Sequence, residues 1–268
     1  METKPQNIKK IFYNKSKYCD SRTYPKITII TVVKNGQTFL ESTIKSVIHQ
    51  SYKNIEYIII DGNSLDNTSS IIKKYKSKIN LYLKSYDHSM WEAMNKGIDL
   101  ATGSIIVFLN SDDVFTKQAL QHAVKYFKKD QKLDFIFGTV KKHWLKYGFH
   151  PMRASYTFNF YTTHSIGFFI KKKSQMKIGY YDSKFLSADL DLFLKMILKY
   201  KLIGKASKKN EIFGNFRLGG FASKISYRKH LRDLNNIRIN NNQNKFYVFL
   251  IYLFKILKNP RKFIFNRH

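Results

Sequence analysis

Three short apolar runs constrain this chain more than any other feature. They are Lys26–Val33 (KITIITVV), Asn54–Ile60 (NIEYIII) and Ile105–Asn110 (IIVFLN). Continuous runs of this length, rich in β-branched residues, read as strands buried on both faces. A shorter strand is expected at Ile79–Leu83. Between them the apolar period changes. After the break at Asn35-Gly36, residues Phe39, Leu40, Ile44, Val47 and Ile48 follow at helical spacing. Ser69–Tyr75, Met90–Ala101 (closed by Gly103) and Gln118–Tyr126 read as further helices. Strands that alternate with helices in this way build βαβ units, and so an α/β fold with a mostly parallel sheet.

Acids collect at the ends of these strands. The second run finishes in Asp61-Gly62-Asn63-Ser64-Leu65-Asp66-Asn67-Thr68, dense in turn and capping residues, and the third in Ser111-Asp112-Asp113. Open α/β sheets bind ligands beyond the carboxyl ends of their strands. Adjacent carboxylates repel, so Asp112 and Asp113 favour a nearby cation. A divalent metal held with a substrate phosphate is one reading; an N-cap for the helix at Gln118–Tyr126 is the other. No G-x-G-x-x-G follows the first strand, and no G-x-x-x-x-G-K-[ST] occurs. A phosphate ligand would therefore depend on a metal and on lysines, which fits a nucleotide diphosphate with a metal.

The chain resembles the family 2 glycosyltransferases of the GT-A fold, over about Lys26 to Gly220. The resemblance rests on Thr31–Gly36, Ile44–Tyr52, Asp61–Thr68, Ala93–Ile98 and Phe108–Asp113, in this order and spacing. It points to the small bacterial branch that builds lipopolysaccharide, capsule or exopolysaccharide. The resemblance implies a GT-A (Rossmann-like), mostly parallel mixed sheet flanked by helices, followed here by a basic helical C-terminal tail. It implies that Thr31 lies beside the base and ribose and that Asp61 accepts from the uracil N–H. Asn95 and Lys96 would face the nucleotide and diphosphate. Asp112 matches the last acid of an Asp-x-Asp signature whose first acid is replaced by Asn110. With Asp113 it would hold the ribose and a divalent metal, Mn2+ or Mg2+. Asp66 is read as capping its own turn. Relatives carry Gly-Ile-Tyr-Asp where this chain has Ser89-Met90-Trp91-Glu92, so Trp91 and Glu92 are expected to shape the sugar pocket.

The same resemblance assigns Asp189, ahead of the apolar segment Leu190–Leu194, as the base that takes a proton from an acceptor hydroxyl. A helix cap is the bland alternative. Asp191 and His164 are placed in the donor or acceptor pocket, although each has an ordinary structural reading as well. Gly219 and Gly220 resemble a loop that closes over the site. The Gln-x-x-Arg-Trp motif of processive synthases is absent, which favours one sugar per binding event. The expected organisation is a basic extension (1–25), a nucleotide-sugar half (26–114), an acceptor half of the same domain (115–220) and a basic amphipathic segment (221–268). The expected partners are a UDP-linked sugar donor, a lipid-linked saccharide acceptor and an anionic membrane surface, with oligomers possible.

Charge supports that division. The net charge is +30. Residues 26–113 hold 10 Lys+Arg and 9 Asp+Glu; residues 114–220 hold 21 and 6; residues 221–268 hold 11 and 1. The excess lies in the acceptor half and the tail, and a basic surface attracts phosphates of lipid or nucleic acid. Nine apolar or aromatic residues, Phe246–Phe254, are followed by lysines and arginines. That run is too short to span a bilayer and suits a helix lying in its interface; a buried helix or a dimer contact is the alternative. Nucleic-acid binding is disfavoured because the aromatics sit in apolar runs and no RNA or DNA motif appears. A metal-dependent nucleotidyltransferase would need a better glycine loop than Val33–Gly36, and an inactive scaffold would have no use for the retained acids. The single cysteine, Cys19, and the polar Met1–Pro25 stretch fit a cytoplasmic protein on the inner face of the cell membrane.

Overall fold

A computed structural model describes residues 8–13, 24–151, 164–217 and 225–265. The first apolar run forms β2 (Ile27–Val33), whose residues are buried almost without exception. It pairs in parallel with β3 (Ile55–Asp61) and β5 (Ile105–Phe108), and β3 pairs in parallel with β4 (Leu81–Ser85). The strand expected at Ile79 starts two residues later. A short 3-10 turn at Lys76–Lys78 runs up to Ile79, and the Asn80 side chain caps the Tyr57 N–H at the edge of β3.

Helices cover both faces. Helices α1 (Leu40–Ile48) and α2 (Thr68–Lys74) bury Leu40, Ile44, Val47 and Ile72 in the same cluster as Ile27, Ile29 and Val33. Helix α3 (Met90–Leu100) lies on the other face, with Trp91, Met94 and Ile98 against Ile30, Ile106 and Phe108. The chain thus steps β2–β3–β4 in one direction, then returns through α3 to place β5 on the far side of β2. A reversal of strand order of this kind opens a crevice at the strand tips.

The second half extends the same sheet. β10 (Phe168–Lys171) inserts antiparallel between β5 and β7 (Phe135–Phe137), and β11 (Gly204–Ala206) pairs in parallel with β7, giving the order β1-β4-β3-β2-β5-β10-β7-β11. β1 (Ile8–Tyr13) closes the opposite edge antiparallel to β4. A small second sheet stands over the tips, with the order β6-β12-β8-β9. Its strands are β6 (Val114–Phe115), β8 (Thr139–Lys141), β9 (Leu145–Lys146) and β12 (Ile212–Asn215). Helix α4 (Ala119–Lys129) buries Leu120, Val124 and Phe127. The expectations for Cys19, Gly219 and Gly220 fall outside the described residues.

The end of the sheet away from the crevice is locked by a buried carboxylate. Glu56 accepts from Thr28 Oγ1 at 2.6 Å, and from the Thr102 N–H and Oγ1 at 2.7 Å each. Gly103 donates its N–H to Thr28 Oγ1 at 2.9 Å. A Cβ on Gly103 would lie 2.7 Å from both the Lys26 carbonyl oxygen and the Thr28 nitrogen. Backbone atoms inside a sheet cannot yield as a side chain does. Gly103→Ala is therefore expected to cost roughly 1–3 kcal/mol of stability through overpacking. An unchanged urea midpoint would show that the entry to β5 is looser than this packing implies.

Candidate active site

At the tip of β3, Asp61 is fully buried. Its Oδ1 accepts the Ser64 N–H at 2.7 Å, and Oδ2 accepts from Tyr82 OH at 2.9 Å and Ser69 Oγ at 3.2 Å, with Lys84 Nζ at 3.9 Å. The acidic turn after it is laced to the tip of β2. Asn35 and Gly36 donate their N–H groups to Ser64 Oγ and Thr68 Oγ1, both at 2.8 Å, and Gln37 donates to Asp66 at 3.1 Å. Asp66 also accepts the Thr68 N–H at 3.0 Å, so it holds its own turn. Thr31 lies within β2, fully buried, its hydroxyl 3.2 Å from Tyr57 OH.

Asp112 and Asp113 follow β5 at the crevice. Neither caps α4, whose N-cap is Gln118. Asp113 is completely buried; its Oδ1 accepts the Arg217 N–H at 3.0 Å and its Oδ2 accepts from Asn110 Nδ2 at 3.3 Å. Burial, reinforced by the neighbouring charge of Asp112, pushes its carboxyl up to about 7. Asp112 is half-buried, and burial raises its pKa too. The backbone of this turn is fixed by Thr43, whose hydroxyl donates to the carbonyls of Ser111 (3.0 Å) and Asp113 (2.8 Å). Asn110 also reaches Ser165 Oγ at 3.1 Å, which ties the turn to the start of β10.

Next to this turn is a cleft of about 70 Å³, lined in part by Trp91, Asn110, Ser165, Tyr181 and Asp189. Trp91 stacks on Tyr181 with ring centroids 5.2 Å apart. Asp189 sits in the first turn of the Ala188–Leu194 helix, where its Oδ1 accepts the Leu190 N–H at 2.9 Å. Burial pushes its carboxyl up to about 6, with the nearby charge of Asp233 adding to the effect and Lys146 opposing it. Apolar walls and one weakened acid make a site that can accept a proton near neutral pH.

Other residues named from the sequence have different surroundings. Asn95 spends its amide on the backbone of Tyr181, donating to its carbonyl at 2.8 Å and accepting its N–H at 2.9 Å. Lys96 is held by Asp87 and Ser85, each at 2.5 Å. Glu92 accepts the His88 N–H at 3.0 Å while Ser89 Oγ accepts the Glu92 N–H at 3.2 Å, a capping arrangement at the start of α3. Asp191 faces the C-terminal helices, pairing with Lys195 at 2.7 Å and accepting from Asn241 at 2.8 Å. The ring of His164 lies flat on Phe216, 3.8 Å between centroids, and burial with Lys146 and Lys142 nearby lowers its pKa to about 3, which keeps it neutral.

Three residues of this region were not read from the sequence. Asp87 holds Lys96 and keeps its second oxygen, Oδ2, buried without a hydrogen bond from the described residues. Lys146 on β9 faces Asp189 electrostatically, and burial beside Lys142 lowers its pKa to about 8. Asp233 accepts the N–H groups of Leu186 (3.0 Å) and Ser187 (2.8 Å), and so supports the N-terminus of the helix that bears Asp189. Only the short distance of Asp87 from α3 could have flagged it; the other two depend on tertiary packing.

The mixed sheet with its crossover helices is a fold shared with solved structures. It superposes on a Staphylococcus aureus TarS fragment solved with UDP-GlcNAc (TM-score 0.63, 17% identity, 85% of this chain and 70% of that one). It also superposes on a mannosyltransferase from Pyrobaculum calidifontis solved with GDP-Man and Mn2+ (TM-score 0.64, 15% identity, 90% and 68%). The family model described as glycosyl transferase family 2 matches residues 28–202, more than half of the chain, and the chain belongs to that family. Among curated relatives, an uncharacterized glycosyltransferase of Rickettsia prowazekii is 33% identical over 112 residues (42% of this chain, 35% of the relative). The GalNAc(5)-diNAcBac-PP-undecaprenol beta-1,3-glucosyltransferase of Campylobacter jejuni is 32% identical over 118 residues (42% and 38%). The chain spans well under half of the length of these two relatives.

The Asn95 amide is the pin between α3 and the wall of the cleft. Asn95→Ala leaves the N–H and carbonyl of Tyr181 unpaired in a buried place. The expected loss is roughly 1–3 kcal/mol of folding stability, read by chemical denaturation. If the denaturation curve did not move, the pin would carry no weight.

Proposed function

We propose that this chain is an inverting glycosyltransferase that moves one sugar from a nucleotide diphosphate, UDP, to a saccharide on a lipid carrier during bacterial surface polysaccharide synthesis. The observation that carries the proposal is the cleft in which Asp189, with its raised pKa, adjoins Asn110 and the acidic turn at the tip of β5. The UDP-GlcNAc and GDP-Man bound in the structural neighbours support a nucleotide-sugar donor. The Campylobacter relative, a glucosyltransferase named for an undecaprenol-linked saccharide, supports a lipid-linked acceptor. Such an acceptor would bring the reaction to a membrane, and a nucleotide-sugar donor would keep it on the cytoplasmic face.

In this reading Asp189 takes the proton of an acceptor hydroxyl. The freed oxygen attacks the anomeric carbon from the face opposite the diphosphate, and the carbon–oxygen bond to the diphosphate breaks with inversion. Trp91 and Tyr181 form an apolar wall that limits water at that carbon. Asp61 would meet the donor base through its hydrogen-bonded partners Ser64 and Tyr82 rather than as a bare carboxylate. The polar groups at the β5 turn fit a hard divalent cation. Among the described residues no cluster of three or more His, Cys, Asp or Glu could hold a metal ion. A hard cation can instead be held by one or two carboxylates with substrate phosphates completing its shell. Both Asp113 oxygens are engaged by Arg217 and Asn110, so Asp112 is the direct ligand in this reading and Asp113 its support. When bound, such an ion offsets the charge that develops on the leaving diphosphate.

A thermal-shift or calorimetric panel of UDP- and GDP-linked sugars, with and without manganese, tests the donor. No binding from any of them would refute the reading. Asp112→Ala should weaken manganese-dependent UDP binding and leave metal-free binding unchanged; equal loss under both conditions would place the metal elsewhere. Asp189→Asn should retain donor binding and lower turnover by about 10²–10⁴-fold. Because burial raises the Asp189 pKa and the base acts deprotonated, kcat/KM should fall as pH drops through about 6 and be flat above it. A flat profile from pH 5 to 8, roughly one unit below to two above that value, would assign the base to another group.

A further inference from the structure

The C-terminal helices present an apolar face that the described chain does not cover. On the Lys245–Lys258 helix, Val248 and Ile251 are buried on the side that meets the Tyr227–Asn240 helix. On the other side Phe246, Phe249, Leu250, Leu253, Phe254 and Leu257 are exposed, from 38% for Leu253 to 76% for Leu257. Their spacing alternates between three residues and one, which places all six along one stripe of the helix. Ile264 and Phe265 continue the apolar surface at 62% and 63% exposure. Their backbone is tied down, since Arg228 donates Nε to the Phe263 carbonyl at 2.6 Å and a guanidinium N–H to the Ile264 carbonyl at 3.0 Å. The stripe is thus part of a fixed surface.

Its rim carries one sign of charge. Lys245, Lys258, Arg261 and Lys262 are exposed at its two ends. No acid follows Asp233 in the sequence, and Asp233 is buried under the Leu186–Ser187 turn. No helix among the described residues is long and apolar enough to cross a membrane. We propose that this face docks on an anionic lipid bilayer, with the phenylalanines and leucines in the interface and the basic rim at headgroup phosphates. A second copy of the chain is the poorer occupant. A two-fold contact would bring two identical basic rims together with no acid to receive them.

The inference deepens the lipid-linked acceptor proposed above and rests on that reading for its purpose, but docking can be measured without donor or acceptor. The full chain is sedimented with vesicles of phosphatidylcholine alone and with vesicles that also contain phosphatidylglycerol. Binding is expected only where phosphatidylglycerol is present, and it should weaken as salt rises. Phe249→Asp with Leu253→Asp, and separately Lys258→Glu with Arg261→Glu, should each lower it by about tenfold or more. Phe249→Ser, a neutral change, should lower it less and guards against misfolding of the double variant. Transfer to a water-soluble saccharide should survive in all three variants. Failure of the enzymatic reading would show as absent transfer with vesicle binding intact. Wild-type protein that ignores phosphatidylglycerol, or variants that bind as well as wild type, would overturn the docking proposal. So would a wild-type dimer in light scattering that the double aspartate variant dissolves without any vesicle binding.

Discussion

Parallel strands buried on both faces cannot be joined by tight turns, and each needs a crossover helix. β2, β3, β4 and β5 obey this constraint, and the rest of the molecule follows from it. All four strands point their carboxyl ends the same way, so the polar residues that must end a buried run gather on one side of the sheet. The return of the chain through α3 places β5 beside β2, and the turn after β5 brings Asp112 and Asp113 to the same edge. The opposite end has no such opening. There Glu56, Thr28, Thr102 and Gly103 satisfy one another and close the sheet.

Carboxylates in this crevice are not solvated in the ordinary way. Asp113 and Asp189 are held at different values by the same physics. Asp61 is buried but receives N–H and O–H donors on both oxygens. Asp113 has one backbone donor and one amide, and the repulsion of Asp112 beside it, so its proton is held to about 7. Asp189 has one local backbone donor and an apolar cleft, so it stays at about 6. Burial raises both Asp113 and Asp189, and the charge of Asp112 adds to it at Asp113, so the placement of charge as well as burial sets where each acid exchanges its proton.

Much of this was legible in the sequence because it is local. The apolar runs, the helical periods between them and the acids at the strand ends are each contained within a dozen residues. The capping contact of Glu92 was not read, although Ser89-x-x-Glu92 has capping-box spacing, because the resemblance drew Glu92 toward the sugar pocket. Longer-range pairing hid the rest. β10 is four residues long and takes its place beside β5 across some sixty residues of chain, so nothing in Phe168–Lys171 announces an antiparallel insertion. The amide of Asn95 looks free on a helix face until the turn at Tyr181 folds onto it. That Asp191 faces away from Asp189 follows from a two-residue step on a helix, but its partner Asn241 lies fifty residues later.

The Tyr227–Asn240 helix connects two features that the sequence places far apart. Through Asp233 it accepts the N–H groups that precede the Asp189 helix. On its other flank it seats the Lys245–Lys258 helix and, by Arg228, the end of the next one. A carboxylate that receives two backbone N–H groups is a rigid joint, and charge assistance makes each bond stronger than a neutral one. Any tilt of the C-terminal pair would therefore be passed to the turn ahead of Asp189 rather than absorbed by a loose linker. The arrangement couples the packing of the helix that carries the apolar stripe to the turn ahead of Asp189.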